Sequence, residues 1–280
     1  MVESAILAPG EWIADGYEVV DHMSRGRRID VYDVWSHERA ARSVFKTPKP
    51  DEADNASTVS GLIAEGRLLR RLTHPGIVRC YETVATFHPP RPGLVLETLT
   101  GATLSHLIDE CDPMSTEDVL WLGLHLSSAV GYLHSQGMLH LDIKPSNIIA
   151  ENGRAKLIDL GLARRPGRSA RIAGTREYMA PEQARGEDLT SAVDVWAVGL
   201  VLYESIVQKS PWPPPPHDDY HPQLEMRVPS LLEREGVPEP LARILDRSLD
   251  PDPELRATLS DLRAALIELA PVDPKTHTTI

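Results

Sequence analysis

The stretch "HLDIKPSNII", His140 to Ile149, followed six residues later by "KLIDLGLAR", Lys156 to Arg164, holds the densest group of chemically capable side chains in the chain. Asp142, with Lys144 two residues on and Asn147 five residues on, suits a turn whose side chains bond local backbone groups. "IDLG", with Asp159, reads alone as a strand running into a glycine turn. Neither string decides anything by itself, so the flanking pattern has to supply the frame.

On the N-terminal side, Tyr17 to about Leu99 favours short strands, with alternation in "YEVVDHM", "VYDVW" and "SVFK" and an apolar run in "GLVLE". One helix interrupts them after "DNAST". Asn55, Ser57 or Thr58 can cap it, Leu62, Ile63, Leu68, Leu69 and Leu72 recur at helical spacing, and "THPG" stops it. Beyond Leu99 the texture is helical. Asp118–Ser135 and Ser191–Val207 read as long apolar helices, the second apolar on most faces apart from Asp194 and Glu204. Pro240–Ser248 and Thr258–Ala270 add two more. "PWPPPPHDDYHP" from Pro211 reads as an exposed extended loop, and residues 271–280 as a frayed tail.

The 280 residues are enough to bury a substantial core, and 41% apolar with 25% charged residues are ordinary globular proportions. A net charge of −12 disfavours nucleic acid or an anionic membrane as partner. Cys80 and Cys111 stand too far apart for a Cys-x-x-Cys motif and fit a reducing compartment. "MVESAILAPG" has neither the basic start nor the apolar core of an export signal. The longest uncharged apolar run, Val195–Tyr203, is about half of the roughly 20 residues a bilayer crossing needs. The expectation is a cytoplasmic protein.

Transfer of a phosphoryl group needs a carboxylate near the acceptor hydroxyl, a cation near the moving phosphate and oxygen ligands for magnesium. Asp142, Lys144, Asn147 and Asp159 offer these in order, and here the chain resembles the serine/threonine protein kinases, of the type found widely in bacteria. The resemblance runs from about Tyr17 to Ala270. It implies that Asp142 orients the substrate hydroxyl, Lys144 reaches the γ-phosphate, and Asn147 and Asp159 hold magnesium, or manganese in its place. "GTREYMAPE" resembles the end of an activation segment, with Thr175 helping to form the substrate site. "SAVDVWAVG" resembles the central helix whose Asp194 braces the catalytic loop. Glu182 of "APE" would pair with Arg256 of "DPELRAT" in a buried bridge.

In the first half, "SVFK" resembles the strand whose lysine, here Lys46, binds the α- and β-phosphates. The chain has six lysines against 23 arginines, and Lys46 and Lys144 are two of the six. Glu65, nine residues before His74, resembles the helix glutamate that pairs with that lysine. "GLVLETLTGATL" resembles the hinge, making Leu96 the gatekeeper and setting Glu97 to Leu99 against adenine. Val31, Val44 and Ile149 would sandwich the ring, and Val44 in place of the usual alanine narrows the slot.

Two departures stand out. In "MSRGRRIDVYDV", Met23–Val34, Ser24 and Ile29 replace the first and third glycines of the family loop, and Gly26 matches the second. Glycine lets backbone N–H groups approach phosphate without a Cβ in the way. Asp30 would repel phosphate, but strand alternation sends it to the face opposite Val31. Arg27 and Arg28 at the tip could supply side-chain charge or simply be solvated. The second departure is Leu141, where most regulated relatives carry an arginine that pairs with a phosphorylated loop residue. Ser169, among Arg164, Arg165, Arg168, Arg171 and Arg176, is the candidate phosphosite, and these arginines would suit acidic substrates.

The resemblance therefore implies an α+β, bilobal fold over residues 1–270, with a small β-rich N-lobe carrying one main helix (about 12–98) and a larger, mainly helical C-lobe (99–270). It implies MgATP-dependent phosphorylation of serine and threonine in protein substrates without activation-loop phosphorylation, regulation coming from a protein partner or from expression. Two rivals remain. A pseudokinase serving as a binding module fits the altered loop, against the intact Lys46, Glu65, Asp142, Asn147 and Asp159. A small-molecule phosphotransferase shares the His-x-Asp loop, but Lys144, "APE" and "DVWAVG" disfavour it.

Overall fold

The computed structural model describes residues 6–87, 89–168, 172–217 and 219–270. It is a mixed α+β chain that divides into two compact units, one of residues 1–73 and 78–99, the other of residues 74–77 and 100–280. The contact boundary thus falls after Leu99, and His74–Ile77 packs with the second unit. Its anchors are local: His74 stacks on Tyr132, and Gly76 O accepts from Leu157 N at 2.9 Å.

The first unit is an antiparallel sheet of β1 (Trp12–Ala14), β2 (Tyr17–Arg25), β3 (Ile29–Ser36), β4 (Ala41–Pro48), β5 (Cys80–Ala85) and β6 (Pro92–Glu97), in spatial order β1-β2-β3-β4-β6-β5. α1 (Ala56–Leu69) joins β4 to β5, and of the three candidate caps it uses Asn55, whose side chain accepts from Ser57 N and Thr58 N. Cross-strand partners share a face, so Tyr32 opposite Phe45 and Phe45 opposite Val95 line one side. They join Ile13, Ala14, Tyr17, Val19 and Val34 in a buried cluster. β1 covers that cluster with Ile13 and Ala14, and three residues are too few to show as periodicity in the sequence.

In the second unit β7 (Ala102–Thr103) leads into α2 (Leu104–Glu110) and α3 (Thr116–Ser135), and β8 (Ile148–Glu151) and β9 (Arg154–Leu157) complete a three-stranded sheet with β7. β10 (Gly167–Arg168), α4 (Pro181–Ala184), β11 (Asp188–Leu189), α5 (Ala192–Val207), α6 (Glu239–Ser248) and α7 (Leu259–Leu269) follow. The four long helices expected from periodicity are therefore all present, and α2 is an addition. α3 passes close over α5 and α7 at Gly123, where a Cβ would meet Leu266 Cδ1 at 2.7 Å and Leu202 Cδ1 at 3.0 Å. The proline run is exposed from Pro213 to His217, but Trp212 is buried and its Nε1 donates to Glu177 O at 2.9 Å. The tail from residue 271 lies outside the described residues. Among the described residues no helix is long and apolar enough to cross a membrane.

Two buried acidic groups brace this unit. Glu182 and Arg256 form a fork, Nη1 to Oε1 at 2.6 Å and Nη2 to Oε2 at 2.9 Å, and Arg256 also donates to Asp250 O and Ala192 O and lies over the Trp196 ring. Glu204 on α5 accepts from Tyr178 Oη at 2.7 Å. Burial pushes the Glu204 carboxyl up to about 7 against the opposing Tyr178 bond, with Asp109 and Glu177 adding to the rise.

Truncating one arm of the fork leaves the other charge buried and unpaired. Arg256→Ala should destabilise the protein by about 3–5 kcal/mol, read by chemical denaturation, and a loss below 1 kcal/mol would contradict the fork's role. A carboxyl raised from 4.5 to about 7 keeps its proton in the folded state, so its stabilising contribution is complete below 4.5 and disappears as the pH rises through 7. Glu204→Gln should therefore flatten the decline of thermal midpoint across that window, and a slope unchanged from wild type would refute the assignment.

Candidate active site

The residues singled out in the sequence fall into two groups, one in each unit. In the first unit, Val31 opposes Lys46, Lys46 opposes Leu94, and Val44 opposes Leu96, so Val31, Val44, Lys46 and Leu96 occupy the same sheet face. α1 lies on that face, since a Cβ at Gly66 would meet Leu94 Cδ2 at 2.5 Å. Glu65, one residue earlier, receives two hydrogen bonds from Lys46 Nζ, at 2.8 Å to Oε1 and 2.9 Å to Oε2. Both residues are buried, which makes the pair a charge-assisted double contact inside the unit. Glu97 points the other way: it opposes Ser43 and its Oε1 accepts from Arg79 N at 2.9 Å, so only its backbone is left to face the side of Leu96. Leu99 follows it, half-buried, at the end of the unit.

The β2–β3 hairpin carries Gly26. Gly26 N donates to Ile29 O at 2.8 Å and Lys49 N to Arg28 O at 2.9 Å, closing the tip with backbone bonds. Residues 24–30 are all described and none has a positive φ, so Ile29 is not forced into a conformation its β-branch resists. Arg27 and Arg28 are exposed, with Arg28 Nε 4.0 Å from Glu52 Oε2. Asp30 is fully buried on the face opposite Val31, as alternation requires. Its partner, Arg25, was not evident from sequence: Nε donates to Oδ1 at 2.8 Å and Nη2 to Oδ2 at 2.9 Å, with His22 Nε2 3.4 Å away. The signal was present in the hairpin itself, because Arg25 and Asp30 are its last cross-strand pair.

In the second unit the loop from His140 to Asn147 hangs on Asp194, near the start of α5. Asp194 is completely buried; Oδ2 accepts from His140 N at 2.8 Å and from His134 Nε2 at 2.8 Å, and Oδ1 accepts from Leu141 N at 2.9 Å. Three donors on one carboxylate meet the demand of a buried charge. They also hold Leu141 at φ +68°, a left-handed conformation costing about 1–3 kcal/mol for such a residue. The turn this makes sets Asp142 beside Thr175.

Asp142 Oδ1 accepts from Thr175 N at 2.8 Å and Thr175 Oγ1 at 2.7 Å. Asn147 Nδ2 donates to Asp142 O at 2.9 Å and to Oδ2 at 3.0 Å, while Lys144 Nζ lies 3.2 Å from Oδ2 and 2.6 Å from Thr175 Oγ1. Asp142, Lys144, Asn147 and Thr175 are thus one hydrogen-bonded group. Asp159 is joined to it through the backbone, Ile158 N donating to Asn147 O at 2.9 Å, and Asp159 itself sits exposed at φ +60° with Oδ1 accepting from Gly161 N. Ile149, half-buried on β8, follows Asn147 by two residues and opposes Thr103 and Lys156. His140 is fully buried, and burial holds its imidazole below the usual range. Ser169 and Arg171 lie outside the described residues. His134 and Gln183 are contributors that sequence reasoning missed; His134 sits on α3, 60 residues from its partner, with no local pattern to mark it.

Comparison with known proteins accords with this geometry. The model of the protein kinase domain matches residues 17–266. The probable serine/threonine-protein kinase SCO3848 of Streptomyces coelicolor is 30% identical over 258 residues, covering 88% of this chain and 38% of the relative. The serine/threonine-protein kinase PknB of Mycobacterium leprae is 30% identical over 272 residues, covering 92% and 43%. PkaA of Streptomyces coelicolor, also a serine/threonine-protein kinase, is 31% identical over 234 residues, covering 79% and 42%. The chain spans less than half the length of these curated relatives. With that match over most of its length, and with an α+β build that agrees with it, the chain belongs to the protein kinase domain family.

Proposed function

We propose that residues 1–270 act as one serine/threonine kinase domain, moving the γ-phosphate of ATP to hydroxyls of protein substrates without activation-loop phosphorylation. The observation that carries the reading is the environment of Thr175 Oγ1. This hydroxyl donates to the Asp142 carboxylate at 2.7 Å and meets the Lys144 ammonium at 2.6 Å. A substrate hydroxyl in that setting would give its proton toward Asp142 while Lys144 offsets charge on the incoming phosphoryl oxygens.

The donor set suits a hard divalent cation. Asn147 spends its Nδ2 on Asp142, which leaves its Oδ1 for a metal, and Asp159 adds an exposed carboxylate next to Ile158, whose N donates to Asn147 O. Magnesium or manganese bound there would neutralise phosphate charge. Lys46, oriented by Glu65, would serve the α- and β-phosphates. Val31, Val44 and Leu96, with the backbone of Glu97 and Leu99, would serve the base.

Leu141 supports independence from loop phosphorylation. It is 7% exposed and carries no charge that could capture a phosphate, so a phosphate on Ser169, the candidate phosphosite, would have to find its partner among the neighbouring arginines. Protein substrates, and a regulatory partner if one exists, are part of the same proposal. The altered β2–β3 tip favours weaker ATP binding than a loop with three glycines would give, because Ile29 and Ser24 put side chains where a close backbone approach is useful.

In a γ-labelled ATP assay with a generic acceptor protein, wild type should transfer label, Asp142→Asn should lose roughly 100-fold or more, and Lys46→Ala should fall comparably. MgATP at about 100 times its Kd should stabilise wild type by about 2.7 kcal/mol. If all three proteins are equally inert and MgATP leaves the melting temperature unmoved, the chain is a partner-binding module. By calorimetric titration, Ser24→Gly combined with Ile29→Gly should tighten MgATP binding; unchanged affinity would sink the account of the tip.

A further inference from the structure

Gln183 belongs to α4, is 4% exposed, and uses one amide nitrogen for two backbone oxygens: Nε2 donates to Leu141 O at 3.0 Å and to Ala173 O at 2.7 Å. Leu141 immediately precedes Asp142, and Ala173 lies two residues before Thr175. Each hydrogen of the amide is thus spent on one of the two segments that meet at Asp142 Oδ1. The fit is close. Gly174 lies between the segments at φ +133°, and a Cβ there would meet Gln183 Nε2 at 2.7 Å and Leu141 O at 2.9 Å.

The amide is itself fixed. Glu182, the preceding residue, is clamped by the Arg256 fork, and α4 is followed by β11, which pairs with β10 through Gly167–Leu189 and Arg168–Asp188. Arg164 Nη2 closes the turn before β10 by donating to Gly167 O at 3.1 Å and Arg168 O at 2.9 Å. Beside Gln183, Leu141, Leu162, Ile172 and Leu189 line a cavity of about 30 Å³ together with Arg164 and Glu187, room for about one water molecule.

We propose that Gln183 is the positioning residue that registers the activation segment against the catalytic loop, a neutral amide serving where an ion pair to a phosphorylated residue would otherwise serve. It touches no reacting atom and acts through Leu141 and Ala173 on the Thr175–Asp142 contact. The activity arm of this inference rests on the kinase reading; the exchange arm does not.

The test uses the full chain with Gln183→Met, which keeps length and packing but removes both donors, and Gln183→Glu. For Gln183→Met, kcat should fall about tenfold for two lost hydrogen bonds while KM for ATP stays within about twofold. Hydrogen exchange at the Thr175 amide, which donates to Asp142, should accelerate, with exchange in β2–β6 unchanged. Gln183→Glu faces two carbonyl oxygens; protonated it can still donate one bond, so Thr175 protection should be partly kept at the acid end and lost as pH rises, a dependence wild type lacks. Wild-type exchange at Thr175 in Gln183→Met, or a wild-type pH profile in Gln183→Glu, would overturn the proposal. Inactivity of wild type itself would strike the kinase reading, and the exchange measurements would still decide the role of Gln183.

Discussion

The carboxylate of Asp194 is the contact on which the loop from His140 to Asn147 depends. It sits at zero exposure at the start of a buried helix and takes hydrogen bonds from two consecutive backbone amides and one imidazole. A buried charge without those donors would be prohibitively costly, and the left-handed Leu141 would relax without that charge. The side-chain group at Asp142 follows from this turn. Its members are close in sequence except Thr175, so the loop from His140 to Asn147 is shaped from α5 and then met by the segment that carries Thr175.

Much of this was legible, for physical reasons that differ by element. α1 was marked by its own cap and periodicity, and α5 by apolar residues on most faces interrupted by two acids, each of which has a specific partner. The face of Asp30 followed from the two-residue repeat of a strand. Lys46 and Glu65 could be paired only through resemblance, since 19 residues separate them and neither has a local signature. What escaped was short or distant. β1 has three residues and the β10–β11 pair has two on each side, below any periodic signal, and the seven-residue α2 was not singled out. Gln183 could not be recognised at all, because its two acceptors are carbonyl oxygens, which every residue has. Trp212 shows the opposite failure: a proline-rich composition suggested an exposed strand of chain, yet one indole finds a carbonyl and buries itself.

The two units also differ in how they hold their buried polar side chains. The first uses ion pairs, Lys46 with Glu65 and Arg25 with Asp30, each with at least one partner almost wholly removed from water. The second adds carboxylate-to-amide and amide-to-carbonyl bonds to ion pairs of its own, Glu182 with Arg256 and Lys144 with Asp142. Desolvated pairs are screened little by salt, and so are the bonds to the buried Asp194 carboxylate. Both arrangements hold their geometry under ionic conditions that would loosen an exposed ion pair.

The Glu182–Arg256 fork also limits how this sequence can drift. Losing either member alone strands a charge in the interior, whereas exchanging both for well-packed apolar residues of similar volume is often neutral or favourable. The two positions, 74 residues apart, are therefore strongly epistatic. A one-step route away from the pair passes through a poorly folded intermediate, so the fork can persist by inaccessibility of its alternatives even if it adds little net stability.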